Sequence, residues 1–306
     1  MRFDESCPAK VYCVILHYNA FNDTVKCIES VLMQRAVSVR TEVKVIVVDN
    51  GSSNESGRLL NEKYGCGDGI RIILEKENRG FACGNNIGYR CALKDGEPDF
   101  IILMNNDIEI QQENFFDTMA EVFEKQGFGV CGPDIYSPYK GIYQNPLREQ
   151  GYGRSDLKRL IKVYRKNIRL FTFLKLTGTY PVFHRAKTAL CRRRKARGNQ
   201  REKSGVVLHG AFLILGPEYI RHFPEGLYPG TFMYLEEGIL HYLCREQGLK
   251  LLFSPELKVI HNEGTATRTV LPLRVDKALF EFEQTIISAR VFLRLMDERE
   301  GIKDGK

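Results

Sequence analysis

The residues best placed to do chemistry close the run Ile101-Ile102-Leu103-Met104-Asn105-Asn106-Asp107. Four apolar residues in an unbroken row suit a strand buried on both faces of a parallel sheet. The carboxyl end of such a strand is where open α/β sheets keep their ligands. Asp107 is therefore read as a carboxylate at a strand tip, facing a crevice, able to hold a divalent cation against a substrate diphosphate. Mg²⁺ is commonly bound through one or two carboxylates together with substrate phosphates, so a lone Asp is workable. Asn105 and Asn106 add no charge, which weakens affinity for a cation alone. The structural alternative is that Asp107 caps a helix around residues 114–123. Upstream, Gly80, Gly84 and Gly88 permit close backbone approach. Their spacing is neither GxGxxG nor a Walker A loop, which counts against dinucleotide and ATP sites.

The elements that must position these residues alternate. Val11–Leu16, Val43–Val48, Ile70–Leu74 and Ile101–Met104 read as buried strands. Between them lie a helix capped at Asp23 or Thr24, the turn Asp49-Asn50-Gly51-Ser52-Ser53, and a small-residue loop from Phe81 leading into a helix. This alternation predicts an α/β parallel sheet. The 306 residues, 43% hydrophobic and 27% charged, suit an ordinary globular chain with a substantial core. No apolar run is long enough to predict a transmembrane helix, and Met1–Lys10 lacks the apolar core of a signal peptide. Nine cysteines without CxxC pairs predict reduced thiols in a cytoplasmic protein.

The segments VILHYN, IVVDNGSSNES, ENRGFACGNNIGYR and ILMNND, in that order, resemble the successive signatures of family 2 glycosyltransferases. The resemblance spans residues 10–135 closely and 206–262 more loosely. It implies a GT-A fold, a Rossmann-like and mostly parallel sheet flanked by helices. It also implies inverting transfer of a sugar from a UDP- or dTDP-sugar, as in bacterial cell-surface polysaccharide synthesis. By the same resemblance Tyr18, Asn19, Asp49, Asn78, Arg79, Gly80, Asn85 and Asn106 surround the donor. Asp107 and His261 are placed at a Mg²⁺ or Mn²⁺ ion, with Asn106 against the ribose. Glu237, second of the acidic pair Glu236-Glu237, takes the place of the catalytic base, where the family commonly carries Asp.

Side-chain chemistry supports these roles and leaves alternatives. Asp49 could accept from a uracil or thymine imide, or simply close an Asx turn. Arg79 could donate to a phosphate or stand solvated on the surface. An acceptor hydroxyl needs a positioned base, yet paired acids also favour any helix N-terminus. Neutral His261 could be a metal ligand or a strand-ending structural residue. A nucleotidyltransferase, or a non-catalytic membrane- or nucleic-acid-binding protein built on a degenerate transferase domain, is the competing class.

Charge divides the chain. Residues 148–203 carry 18 Lys and Arg against 3 acids, while the other 27 bases and 35 acids leave −8. At helical spacing Leu157, Leu160, Ile161, Tyr164, Ile168 and Phe171 share one face, with Lys158, Arg159, Lys162, Arg165, Lys166 and Arg169 opposite. A basic amphipathic helix reads as a contact to an anionic membrane surface, reinforced by Arg192-Arg193-Arg194-Lys195 and Arg197. The alternatives are a solvated face packed on the main domain, or phosphate contacts to nucleic acid, which the acidic remainder disfavours. The expected organisation is a nucleotide-sugar half at 1–135, a basic, partly helical insertion at 136–205, and an acceptor half at 206–262. A loop and one or two helices would follow at 263–306. The expected acceptor is a saccharide, lipid-linked at the inner membrane face. Further strands are expected at 209–215, 250–253 and 257–260, with a turn at Cys131-Gly132-Pro133, a mobile loop at Gly264, Thr265 and Thr267, and a frayed C-terminal tail.

Overall fold

The computed structural model describes residues 3, 6–65, 67, 69–180, 201–263 and 274–304. Three β-branched runs form parallel strands β1 (Ala9–His17), β2 (Thr41–Asp49) and β3 (Ile70–Leu74). Their crossovers are α1 (Phe21–Val37) and α2 (Ser56–Tyr64). Helix α3 (Phe81–Asp95) then leads to β4 (Phe100–Asn105), which pairs in parallel with β1 on its other side. His17 pairs with Asp49 and Leu16 with Asn105, so the carboxyl ends of β1, β2 and β4 form one rim. This fixes where a ligand can sit.

The remaining strands are β5 (Ile108–Glu109), β6 (Val130–Ser137), β7 (Ile142–Tyr143), β8 (Lys203–Ser204), β9 (Phe212–Leu215) and β10 (Leu251–His261). They complete a ten-stranded mixed sheet in the order β3-β2-β1-β4-β9-β6-β10-β5, with β7 on β6 and β8 on β10. β9 runs antiparallel to β4, Met104 opposite Phe212, so its amino end meets the same rim. One sheet face is covered by α1, α2 and α4 (Phe115–Gln126) through Ile28, Leu60, Phe115 and Phe116. The other packs on α3, α6 (Pro217–His222) and α7 (Glu236–Glu246) through Tyr89, Tyr219 and Leu240. Gly84 and Gly88 let α3 lie close on β1, because a Cβ at Gly88 would stand 2.4 Å from Val14 Cγ1. A third cluster joins α7 to α5 (Arg154–Leu176) and α8 (Arg274–Asp304) through Ile239, Leu157 and Phe292.

Several local expectations are corrected. α1 begins at Phe21 with Ala20 before it, which places Asp23 in the first turn rather than at the cap. α3 is helical from Phe81 onward. Cys131-Gly132-Pro133 lies inside β6; the proline, which has no N–H to donate, faces the register shift of β10 between Ser254 and Lys258. That bulge joins the two expected strands, 250–253 and 257–260, into one. β9 starts only at Phe212, leaving His209 and Gly210 in a loop. The C-terminal region is a single helix that continues through Asp304. Within residues 136–205, β7 pairs with β6 and β8 with β10. The Arg192–Arg197 cluster and Gly264, Thr265 and Thr267 lie outside the described residues.

For the basic helix, the structure shows which face is covered. Leu157, Phe171 and Leu174 are buried, and the rings of Tyr164 and Phe171 meet Phe282 of α8 at 4.9 and 5.1 Å. Its apolar stripe is covered by α8 and is not free to meet a membrane. Among the described residues no helix is long and apolar enough to cross one.

Candidate active site

The β1–β2 side of the rim is built from asparagines and serines that tie loops together. Asp49 Oδ1 accepts from the Ser52 backbone N–H at 3.1 Å and from Ser52 Oγ at 2.5 Å. The loop-closing role of this carboxylate is therefore in place; burial raises its pKa, with Ser52 opposing. Asn19 holds a left-handed conformation at φ 59°, and its Oδ1 accepts from the Ser53 N–H at 2.9 Å. Asn50, buried, donates through Nδ2 to Asn78 Oδ1 and Gly80 O, each at 3.1 Å, and accepts the Arg79 N–H at 3.0 Å. Asn50 thus fixes the loop that starts α3, a role not expected from its position in a turn. Tyr18 is half-buried on the same rim.

Arg79 itself points away to Glu75, 2.7 Å distant, and is about half exposed at 49%. To reach a phosphate its guanidinium must leave Glu75. Asn85 is buried; its Nδ2 returns to Phe81 O at 2.9 Å, while Oδ1 has no partner. Asn106 is also turned inward, donating to Thr24 Oγ1 at 2.9 Å beside His17. Burial lowers the His17 pKa to about 4, so this ring is a neutral strut. The structure gives Asn106 an anchoring task through this hydrogen bond.

Gly80 joins the two halves of the site. It has φ +81°, and a Cβ would stand 2.2 Å from Phe232 O, the oxygen that accepts the Phe81 N–H at 2.8 Å. Gly80→Ala should destabilise the protein by about 1–3 kcal/mol, because both dihedral and contact become strained. Thermal unfolding checks this, and an unchanged melting temperature would contradict it.

Asp107 and His261 meet across the antiparallel β5–β10 pair, with Oδ1 and Nε2 3.1 Å apart. The hydrogen bonds behind His261 decide what this contact is. Lys140 Nζ, which can only donate, holds Glu263 at 2.7–2.8 Å. Glu263 Oε1 accepts Gln144 Nε2 at 2.5 Å, so Gln144 Oε1 is left to face His261 Nδ1 at 2.8 Å. Nδ1 must then carry the proton, and in the neutral ring Nε2 turns a bare lone pair toward the carboxylate. Asp107 Oδ1 is buried with no hydrogen-bond donor, in keeping with this. Only a second ring proton or a cation between them removes the conflict. A histidine donating from one nitrogen to an outer acceptor and offering the other is the arrangement of metal ligands. The pair fits a divalent ion. Among the described residues no three His, Cys, Asp or Glu side chains gather to hold one unaided. Substrate phosphates would have to complete the set.

The alternative helix-capping role for Asp107 is not adopted, since α4 begins at Phe115 with Asn114 before it. Burial alone would raise the pKa of Glu263, but Lys140, Gln144 and His261 together hold it below the usual carboxylate range.

The acidic pair opens α7. Tyr234 and Leu235 just before it are left-handed at φ 72° and 69°, an uncommon and strained state for bulky residues, of the kind found at functional sites. Glu236 is buried and accepts from Thr231 Oγ1 at 3.0 Å. Burial and the charge of Glu237 raise its pKa to about 7. Glu237 is half-buried and accepts the Gly210 N–H at 3.3 Å, with its own pKa raised by burial. A Cβ at Gly210 would lie 2.7 Å from that carboxylate, so glycine makes its position possible. Gly210 precedes β9, and the Asn105 N–H donates to Ala211 O at 2.9 Å. Glu237 and Asp107 are thereby brought to one end of the sheet. Between them stands His209, its ring 5.9 Å from that of His261 and its Nδ1 accepting the Ala211 N–H. Burial lowers its pKa to about 4, keeping it neutral with a proton on Nε2. His209, Gly210, Gln144, Glu263 and Lys140 were not marked as site residues from sequence; they sit in loops, far along the chain from the groups they touch.

A mixed sheet, parallel across β3-β2-β1-β4, with an Asp–His pair and a glutamate pair at its rim, has the α/β architecture in which ligands bind at strand carboxyl ends. The family model "Glycosyl transferase family 2" matches residues 12–197, and the chain belongs to that family. It is 27% identical over 120 residues to glycosyltransferase GlyG of Streptococcus pneumoniae serotype 4, covering 39% of this chain and 37% of that one. It is 28% identical over 90 residues to the low-salt glycan biosynthesis hexosyltransferase Agl10 of Haloferax volcanii, covering 29% and 27%. The chain thus spans roughly a third of the length of these curated relatives. A crystal structure of GalNAc-T7 with UDP, GalNAc and Mn²⁺ superposes with a TM-score of 0.54 at 14% identity, over 84% of this chain and 44% of that one. The fold is GT-A.

Proposed function

We propose that this protein transfers a sugar from a UDP- or dTDP-sugar to a hydroxyl of a saccharide acceptor, inverting the anomeric centre. The observation that carries the reading is the Asp107–His261 pair, set without a hydrogen bond on the same rim as Glu237. The donor diphosphate would lie over the carboxyl ends of β1, β2 and β4, with Asp49 and Asn19 shaping the base pocket. Mg²⁺ or Mn²⁺ held by Asp107 and His261 would supply charge that offsets the leaving nucleoside diphosphate. Glu237 would take the proton of the acceptor hydroxyl as its oxygen attacks the anomeric carbon from the face opposite the diphosphate. A single in-line displacement gives inversion. Burial raises the pKa of Glu237, which makes its carboxylate the stronger base for that proton.

The acceptor is read as a saccharide on a lipid carrier at the cytoplasmic face of the inner membrane, in the making of capsule, O-antigen or exopolysaccharide. A nucleotide-sugar panel with and without Mn²⁺ tests the reading. A cognate donor should raise the melting temperature by mass action and release a nucleoside diphosphate on transfer. Asp107→Ala should abolish the Mn²⁺-dependent part of that protection and lower transfer by about 100-fold or more, as loss of several kcal/mol of charge stabilisation implies. Release of pyrophosphate from a nucleoside triphosphate would instead mark a nucleotidyltransferase, and full activity of Asp107→Ala would sink the assignment.

A further inference from the structure

With its apolar stripe covered by α8, the outward face of α5 has a different composition from the one that suggested a membrane helix. Lys158, Arg159, Lys162, Arg165, Lys166 and Arg169 are all exposed, and among the described residues none has an acid within ion-pair distance. The acids that α5 does engage lie at its ends. Arg154 reaches Asp297 and Glu300, and Lys175 reaches Asp276 at 2.6 Å. At about 100° per residue the six free bases fall within an arc of about 120° that runs for roughly 16 Å along the helix. Phe173, 61% exposed, and Leu176, 81% exposed, continue the same arc one and two turns further on.

A row of cations that ends in two protruding apolar side chains matches one surface in particular. Anionic lipid headgroups neutralise the bases, while Phe and Leu enter the boundary between headgroups and acyl chains. Nucleic-acid phosphates would use the charges and leave both apolar residues without a partner. The −8 carried outside residues 148–203 would also oppose a polyanion that wraps the protein. We infer that the outer face of α5 docks the protein on an anionic bilayer, the helix lying flat with its α8 side toward the protein. This goes beyond the transfer reaction and does not depend on it. Activity on a soluble acceptor tests one, and vesicle binding tests the other.

The full chain should co-sediment with phosphatidylglycerol-containing vesicles at low salt, not with pure phosphatidylcholine vesicles, and high salt should weaken the association. Each base near such a surface is worth about 1 kcal/mol, about fivefold in partitioning, so K162E/R165E/K166E/R169E should lower binding by about 100-fold or more. Phe173→Ser with Leu176→Ser should lower it about tenfold, through lost apolar insertion. Both variants change exposed positions only, and each should keep its melting temperature and its activity on a soluble acceptor. Wild-type protein that ignores anionic vesicles would overturn the inference. So would undiminished binding by the charge-reversal variant, which would assign attachment to another segment, or tighter binding to duplex DNA than to vesicles.

Discussion

Glu237→Gln is expected to lower kcat by about 10²–10⁴-fold, the range a positioned general base contributes. The side chain keeps its size and its oxygen acceptor for the Gly210 N–H, so the loop before β9 stays in place. What is lost is the ability to accept a proton, which is needed only as the acceptor attacks. Donor affinity should therefore hold within about twofold, since an interaction made only in the transition state lowers kcat without weakening ground-state binding. The pH dependence follows from the sign of the shift. Glu237 works ionised, and burial raises its pKa, so the rate should fall as pH drops through a value above the usual carboxylate range. The residual rate of Glu237→Gln should lose that acidic limb. Glu236 supplies the control: bound to Thr231 and buried, its loss should disturb the start of α7 without removing the base. The assignment is refuted if Glu236→Gln is the variant that loses the acidic limb, or if Glu237→Gln transfers sugar at the normal rate.

What could be read from sequence was local. Val43–Val48 is β-branched and bounded by turn residues, and β2 spans it; Ile101–Met104 ends in a polar cluster, and that cluster sits on the ligand rim. Strand identity and strand tips follow from runs of a few residues. The partner of an amphipathic face does not. The stripe from Leu157 to Phe171 shows that something apolar covers the helix, and a bilayer or α8 would satisfy it equally. Only the position of Phe282, more than a hundred residues later, decides between them. Pro133 misled for a related reason. Proline after Gly usually punctuates a turn, yet a bulge in the neighbouring strand accommodates the missing N–H. The side chains around His261 were out of reach altogether. Gln144 is 117 residues away and lies just after a two-residue strand, with nothing in its neighbours to mark it.

That glutamine carries the second large effect. Gln144→Leu is expected to weaken Mn²⁺ binding in the presence of UDP by about 10–100-fold, the usual loss when a hydrogen-bond partner behind a ligand histidine is removed. The chain of reasoning starts at Lys140, whose ammonium can only donate. Glu263 can only accept, which turns the Gln144 amide so that its oxygen meets His261 Nδ1. Replacing the amide by a shorter apolar group frees the ring to carry its proton on Nε2, where it would bond Asp107 directly and close the cation's place. Nitrogen-15 NMR of the histidine side chains reads this without any turnover: His261 should move from the Nδ1–H to the Nε2–H tautomer. UDP binding without metal should be unchanged, because Gln144 touches neither the Asp49 loop nor the start of α3. Glu263→Gln offers a milder test, since an amide at 263 can satisfy Gln144 in either orientation and should leave a mixture of tautomers. A variant at 144 that keeps both the Nδ1–H tautomer and normal Mn²⁺ affinity would show that the position of His261 is set by the sheet alone.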